Sequence, residues 1–234
     1  MRHIQQLIGI GLAGAAIAAG CDRAAPAGEY AASTYTKNTT EGAMTDNQTA
    51  DSDRKTGRSS GDNNYPIATF AAGCFWAVEY AFSQIPGVKA TCAGFMGGTV
   101  DNPSYRRVCR GDTNHAEVVQ LRYNPQEVTY ETLVKFFFLS HDPTTLNRQG
   151  PDTGTQYRSA IFYHSREQKE IADKVKNRYT ASGRFKKSIV TEITPAATFW
   201  KAEEYHQDYA RKNPGSCHTV DVKAILSEIA ADSF

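Results

Sequence analysis

No apolar run in this chain is long enough for a comfortable membrane span, and there is no Cys-x-x-Cys pair, no extended run of Lys or Arg, and no internal repeat. Each absence removes a class. A span needs roughly 20 apolar residues, so the stretch from Leu7 to Ala19 falls short and has the form of a secretory signal core. Without a Cys-x-x-Cys pair, zinc-ribbon and thioredoxin-type readings lack their signatures. Lys and Arg number 26 against 25 Asp and Glu, a formal net charge of +1, so nucleic acid is not expected as a partner. His115, His141, His164, His206 and His218 fall in different elements without ligand spacing, so no metal site is expected. Val, Ile, Leu, Phe and Trp are all missing between Asp22 and Asn64. Such a stretch cannot bury enough apolar surface to offset its chain entropy. It reads as a flexible tether, holding the C-terminal part of the chain on the order of 35–40 Å from its anchor.

What is present divides the chain in three. Arg2 and His3 give a weakly basic start, and small residues lead from the apolar run to Gly20-Cys21. Ala18-Ala19-Gly20-Cys21 resembles a bacterial lipoprotein cleavage box, which makes Cys21 the lipid attachment site; Ala16-Ile17-Ala18 offers an ordinary cleavage site as the alternative. Residues 1–20 are thus expected to be a signal peptide, 21–64 a disordered tether and 65–234 one folded domain. The expected location is the cell envelope or periplasm, with an N-terminal lipid anchor in the membrane.

Within the folded part, Ile67 to Ala72 reads as a buried strand, and Phe75, Val78, Phe82 and Ile85 mark an amphipathic helix stopped at Pro86-Gly87. Further strands are expected at Val88–Phe95, Glu117–Tyr123, Tyr157–Tyr163 and Ser188–Thr194. Helices are expected at Val128–His141, from Ser165 onward with Gln168 completing a capping box, and at Asp221–Ala231. Strands and helices mix without strict alternation, so the expected class is α+β, a two-layer sandwich of a mixed β-sheet with helices and a ferredoxin-like core.

Gly73-Cys74-Phe75-Trp76 is the most informative stretch. Gly73 allows a tight turn that leaves Cys74 at a helix N-terminus, where free amide N–H groups and the helix dipole favour a thiolate. Two aromatics beside it suffice for an apolar pocket. The bland alternative is a cysteine packed as a small hydrophobe. Glu117 has the parity of Val119, Leu121 and Tyr123, and a carboxyl pointing into an apolar site holds its proton near neutrality and can donate it. Tyr105 shares a face of a short helix with Val108 and Cys109. The segment from Leu139 to Gln156, loaded with Pro and Gly and containing Asp152, leads into Tyr157, and long loops of this kind tend to be functional. Cys92 has the strand parity of Val88 and Ala90 and is expected in the core. Four cysteines in an exported domain could also form two fixed disulfides.

Gly73-Cys74-Phe75-Trp76 with Glu79, Asn102-Pro103-Ser104-Tyr105 and the run from Gly111 to Glu117 resemble the A-type peptide-methionine (S)-sulfoxide reductases. So do His141-Asp142-Pro143, Arg148-Gln149-Gly150, the run from Gly154 to Ser159, Glu203-Glu204-Tyr205-His206-Gln207 and Lys212-Asn213-Pro214. The motifs occur in order and cover most of the folded part. The resemblance implies that Cys74 is the nucleophile, Glu117 the general acid, and Tyr105 and Tyr157 the hydrogen-bond donors to the sulfoxide oxygen. It implies that Asp152 orders the site, that Phe75 and Trp76 form the pocket for the substrate's methyl group, and that Cys217 resolves the intermediate; Cys109, placed near Tyr105 by helical spacing, is the reserve candidate for that role, with a core thiol as the alternative. It further implies reduction of the S epimer of methionine sulfoxide, free or in proteins, through a sulfenic acid and an intramolecular disulfide. An external thioredoxin-type dithiol would recycle that disulfide, with no metal or organic cofactor, in a monomer whose partners are oxidised proteins or peptides. Two departures stand out: only Gly215-Ser216 separates Pro214 from Cys217, and Asn114 stands where a glycine is usual. A thiol peroxidase and a non-enzymatic module with fixed disulfides are the competing readings.

Overall fold

The computed structural model describes residues 65–232; the expected signal peptide, the Cys21 lipid site and the tether lie outside the described residues. Its elements, in chain order, are β1 (Ile67–Ala72), α1 (Phe75–Ser83), β2 (Val88–Met96), α2 (Tyr105–Val108), β3 (Ala116–Tyr123), α3 (Tyr130–Ser140), β4 (Arg148–Gln149) and β5 (Asp152–Thr153). They continue with β6 (Ser159–Tyr163), α4 (Arg166–Ala181), β7 (Glu192–Pro195), β8 (Trp200–Lys201), α5 (Tyr209–Lys212) and α6 (Val222–Ala231).

Six strands form one mixed sheet in the order β7-β6-β1-β3-β2-β8. Its middle four, β6-β1-β3-β2, pair antiparallel throughout, while β7 joins β6 in parallel. With α1 between β1 and β2, and α3 between β3 and β6, those four strands are a ferredoxin-like core, as expected from the sequence. Phe70 of β1 stacks on Phe82 of α1 at 5.0 Å and on Phe137 of α3 at 5.4 Å between ring centres. All three rings are fully buried, and each contributes about 1.5–3 kcal/mol through burial. The helices start where side chains satisfy the first amides: Thr129, Ser165 and Asp221 accept from Thr132, Gln168 and Ala224 N–H, as helix N-caps do.

Several details differ from the sequence reading. In β2, Lys89 bulges out between Val88, opposite Tyr123, and Ala90, opposite Arg122. The extra residue inverts the parity beyond it, so Ala93 and Phe95 enter the core while Cys92 is only half-buried. The segment after α3 is not structureless: Arg148–Gln149 and Asp152–Thr153 form a small hairpin. Strand β6 starts at Ser159, behind a 3-10 turn at Thr155–Tyr157, and β7 starts only at Glu192. Strand β8 and helix α5 had no sequence signal strong enough to be expected, being two and four residues long. None of the described helices is long and apolar enough to cross a membrane.

Candidate active site

The site forms where the strand β1 to helix α1 turn meets the start of β3. Gly73 sits at φ +93°, and a Cβ there would lie 2.7 Å from Gln149 Cβ. The turn therefore needs glycine both for its backbone and for the hairpin packed against it. Cys74 follows as the N-cap of α1. Asn114 takes φ +55°, a left-handed conformation asparagine tolerates better than most residues, which accounts for its standing in a glycine's usual place.

Glu117 is 1 % exposed and shares its sheet face with Val119 and Leu121, as its parity implied. Its Oε2 accepts the Phe75 backbone N–H at 3.0 Å. Its Oε1 is buried with no hydrogen-bond partner among the described residues. Burial pushes its carboxyl up to about 8, against the pull of the Phe75 N–H and with help from the charge of Asp152. At neutral pH this acid keeps its proton, and its free oxygen is the one that can present it.

Cys74 behaves differently from the thiolate expected at a helix N-terminus. Its thiol is held well above the usual range, first by its hydrogen bond with Cys217, then by burial and by the Glu117 charge; only the Trp76 backbone N–H pulls the other way. The first amide of α1 is already occupied by Glu117, so the helix end has less to offer the sulfur than the sequence suggested. Cys74 and Cys217 are both free thiols, in hydrogen-bonding contact despite the short Gly215-Ser216 connection. Cys92 is free as well. Three free thiols among the four cysteines of the domain leave no room for two fixed disulfides.

Cys74, Trp76, Ala77, His141, Asp152 and Cys217 line a cleft of about 490 Å3; Cys109 does not border it and instead caps the C-terminus of α2. Tyr105 and Tyr157 have hydroxyls pushed far up by burial first, then by the Glu117 charge, so both remain hydrogen-bond donors at any physiological pH. Asp152 is half-buried in β5, with its Oδ1 unpartnered among the described residues. Burial raises its pKa.

Phe75 and Trp76 stand beside Tyr105, their ring centres 6.0 and 6.2 Å from it. Behind them the structure adds groups that sequence reasoning had not assigned to the site. Tyr209 stacks on Trp76 at 3.9 Å, and His206 Nδ1 accepts the Trp76 indole N–H at 2.9 Å. The segment carrying them is stitched to β2, since Gln207 exchanges hydrogen bonds with both the N–H and the C=O of Ala93. Buried Glu79 accepts the Asp208 N–H at 2.8 Å. His206 was visible in the sequence as part of a motif, but it lies 130 residues from Trp76 and no local pattern could pair them.

A single thiol nucleophile, a neutral buried acid, two phenol donors and an apolar wall can together reduce a polarised S–O bond. Among the described residues no group of three or more His, Cys, Asp or Glu could hold a metal ion.

Comparison with known proteins gives one family. The family model described as peptide methionine sulfoxide reductase matches residues 66–234. The chain is 58 % identical to the peptide methionine sulfoxide reductase MsrA of Methanoculleus marisnigri over 154 residues, which are 65 % of this chain and 94 % of that protein. It is 57 % identical to that of Acidobacterium capsulatum over 152 residues, 64 % of this chain and 97 % of the other. Among solved structures, Mxr1 from Saccharomyces cerevisiae in reduced form aligns with TM-score 0.63 and 39 % identity, covering 69 % of this chain and 92 % of its own. Methionine sulfoxide reductase A of Corynebacterium diphtheriae aligns with TM-score 0.59 and 40 % identity, covering 66 % and 77 %.

Proposed function

The chain belongs to the peptide methionine sulfoxide reductase family, and from that premise we propose that it reduces the S epimer of methionine sulfoxide at Cys74, with Glu117 as the proton donor. The observation that carries this assignment is the free, buried Oε1 of a Glu117 that stays protonated at neutral pH, close enough for its charge to raise the Cys74 thiol. A sulfoxide oxygen leaves only once protonated, and a proton delivered in the transition state is worth about 10²–10⁴ in rate.

The steps come from the residue types. The methyl group rests against Phe75 and Trp76, and the oxygen accepts hydrogen bonds from Tyr105 and Tyr157. Cys74 sulfur forms a bond to the substrate sulfur as Glu117 gives its proton to the oxygen and takes the thiol's proton in exchange. Glu117 thus begins and ends protonated, which suits a resting thiol whose own pKa is high. The hydroxyl then passes from the substrate sulfur to the Cys74 sulfur: the substrate S–O bond breaks as the Cys74 S–O bond forms, the S–S bond cleaves, and the thioether departs, leaving Cys74 as a sulfenic acid. Cys217 attacks that sulfur, water leaves, and a Cys74–Cys217 disulfide forms. A thioredoxin-type dithiol outside the chain reduces it, becoming a disulfide itself. Asp152 orders the site through its position beside Glu117. No metal or organic cofactor enters these steps. The apolar run ending in Cys21 supports export and a lipid anchor, with the domain acting as a monomer on oxidised proteins or peptides in the cell envelope, where the dithiol must also come from an exported donor.

The test is a single turnover of the pre-reduced protein on separate S and R epimers of a methionine sulfoxide peptide, with thiols counted afterwards. Reduction of the S epimer alone with loss of two thiols is the expected result. Reduction of neither epimer by the folded, fully reduced protein would overturn the proposal and favour the peroxidase.

A further inference from the structure

A sulfoxide sulfur carries three substituents, and the steps above place two of them. The methyl group rests on Phe75 and Trp76, and the oxygen faces Tyr105, Tyr157 and Glu117. The third is the side-chain stem that leads to the substrate's own main chain, and it needs open space beside Cys74. Phe75, Tyr105, Tyr157 and Glu117 do not border the cleft of about 490 Å3, whereas Cys74 and Trp76 do. Of the groups that hold the methyl and the oxygen, the cleft therefore shares the indole alone. It is a second compartment opening from the reacting thiol, and its volume falls within the roughly 300–1,000 Å3 of ordinary ligand pockets.

The walls of this compartment are mostly apolar. Helix α1 supplies Ala77, Val78 and Ala81, the β4–β5 hairpin supplies Pro151, and the segment after Cys217 supplies Val220. No Lys or Arg among the described residues borders it, and Asp152 is its one carboxylate. His141 lines it too, but a carbonyl can only accept, so His141 Nδ1 donates to the Phe137 oxygen at 2.7 Å. Burial pushes the ring's pKa down to about 4, and the neutral Nε2 accepts from the Ser159 hydroxyl at 2.7 Å. With both nitrogens engaged, the ring offers the cleft only carbon. The two methylenes of a methionine stem are too small to fill such a space. An apolar side chain that displaced its water would gain free energy with the area it buried, while an acidic one would meet Asp152 and no cation.

We propose that the cleft is a subsite for the residue next to the oxidised methionine in the substrate chain, and that it selects an apolar side chain there. The protein then favours sulfoxides set in apolar sequence, the setting of a methionine that belongs in a core and is exposed once oxidation has disrupted it. This rests on the reductase reading of the Cys74 site.

The experiment measures single turnovers of the pre-reduced protein on short S-sulfoxide peptides that carry Phe, Gly or Glu on one side of the methionine, then on the other. The expected result is an apparent affinity about tenfold tighter for Phe than for Gly on at least one side, the low end of what burying such a side chain yields. Limiting rates should agree within about threefold, as for binding shared by ground and transition states, and Glu should bind no more tightly than Gly. Ala77→Phe and Val220→Phe fill the cleft from two different walls. Each should cut the preference for Phe to about twofold or less while the Gly peptide keeps its affinity and rate within about threefold of wild type. Equal affinities for Phe and Gly on both sides, a Glu peptide bound most tightly, or a Gly peptide weakened as much as the Phe peptide by the filled cleft overturns the proposal. So does a preference that survives both variants while a thioredoxin reduces the Cys74–Cys217 disulfide more slowly, which would assign the cleft to the reductant. Either variant decides alone where the other does not fold. A wild-type protein that reduces none of the peptides would defeat the reductase reading by itself, while calorimetry with Cys74→Ser still reads whether the Phe peptide binds more tightly than the Gly peptide.

Discussion

Glu117→Gln should make the protein more stable and less active, and the gain should depend on pH. The folded state moves the Glu117 carboxyl from 4.5 to about 8, mainly through burial, while the unfolded chain leaves it near 4.5. The native state therefore binds more protons than the unfolded state across that window, and stability falls as pH rises. Below 4.5 the penalty is absent, between 4.5 and 8 it grows by about 1.4 kcal/mol per pH unit, and above 8 it levels off. For this side chain that comes to about 3 kcal/mol at pH 7 and about 5 kcal/mol at pH 9. Glutamine has nearly the shape of the protonated carboxyl and can still accept the Phe75 N–H, but it never ionises. Paired urea unfolding of wild type and Glu117→Gln at pH 5.5, 7 and 9, with thiols kept reduced, measures the difference directly. A thermal melt of the same pair at pH 7 should show a melting temperature higher by about 6–12 °C in the variant, given about 2–4 °C per kcal/mol in a domain of this size. Other titrating groups are common to both proteins and cancel. Turnover in the variant should fall by about 10²–10⁴. A stability difference that stays flat from pH 5.5 to 9 would refute the raised carboxyl, and with it the role of Glu117 as a neutral acid.

The same carboxyl sets the pH profile: kcat/KM should fall about tenfold per pH unit above pH 8, as the acid form is lost, and a profile still rising at pH 9 would count against it. Cys217→Ser should release about one equivalent of methionine and leave Cys74 as a sulfenic acid that a dimedone label detects by mass; sustained recycling with a thioredoxin-type dithiol would remove Cys217 from the reaction. Tyr157→Phe should lower the limiting rate by about 10–100-fold, since the lost donor serves the oxygen as charge develops, and stopped-flow single turnovers read it. Gly73→Ala combines a left-handed backbone with a Cβ 2.7 Å from Gln149, and should cost about 1–3 kcal/mol in chemical unfolding while displacing the hairpin that carries Asp152.

Much of this was local and therefore readable in one dimension. Strand β1, the turn at Gly73 and helix α1 are written in apolar spacing, a glycine and a terminating Pro86-Gly87, so Cys74 could be placed at a helix N-terminus without a structure. The period of two in β3 sent Glu117 inward, and the capping box set the start of α4. Cys92 escaped because a single bulge at Lys89 inverts every residue after it, and a parity argument carries no sign of a bulge. Strand β8 and the β4–β5 hairpin escaped because two-residue strands exist only through their partners.

What the sequence by itself determined is the inventory and its local setting: one cysteine on a strand-to-helix turn, one carboxyl with core parity, aromatic neighbours, and motifs shared with a family. What only the tertiary structure decided is how these act on one another. A pKa is set by desolvation and by charges close in space, and for Cys74 those come from Cys217 and Glu117, which no sequence period relates to it. Hence a thiol that its helix position suggested would ionise is instead held protonated, beside an acid that shares its proton chemistry. The indole wall of Trp76 is likewise fixed by His206 and Tyr209, brought in by a segment pinned to the sheet edge through Gln207. Helical and strand periods reach a few residues along the chain; the fields and hydrogen bonds that tune this site reach across it.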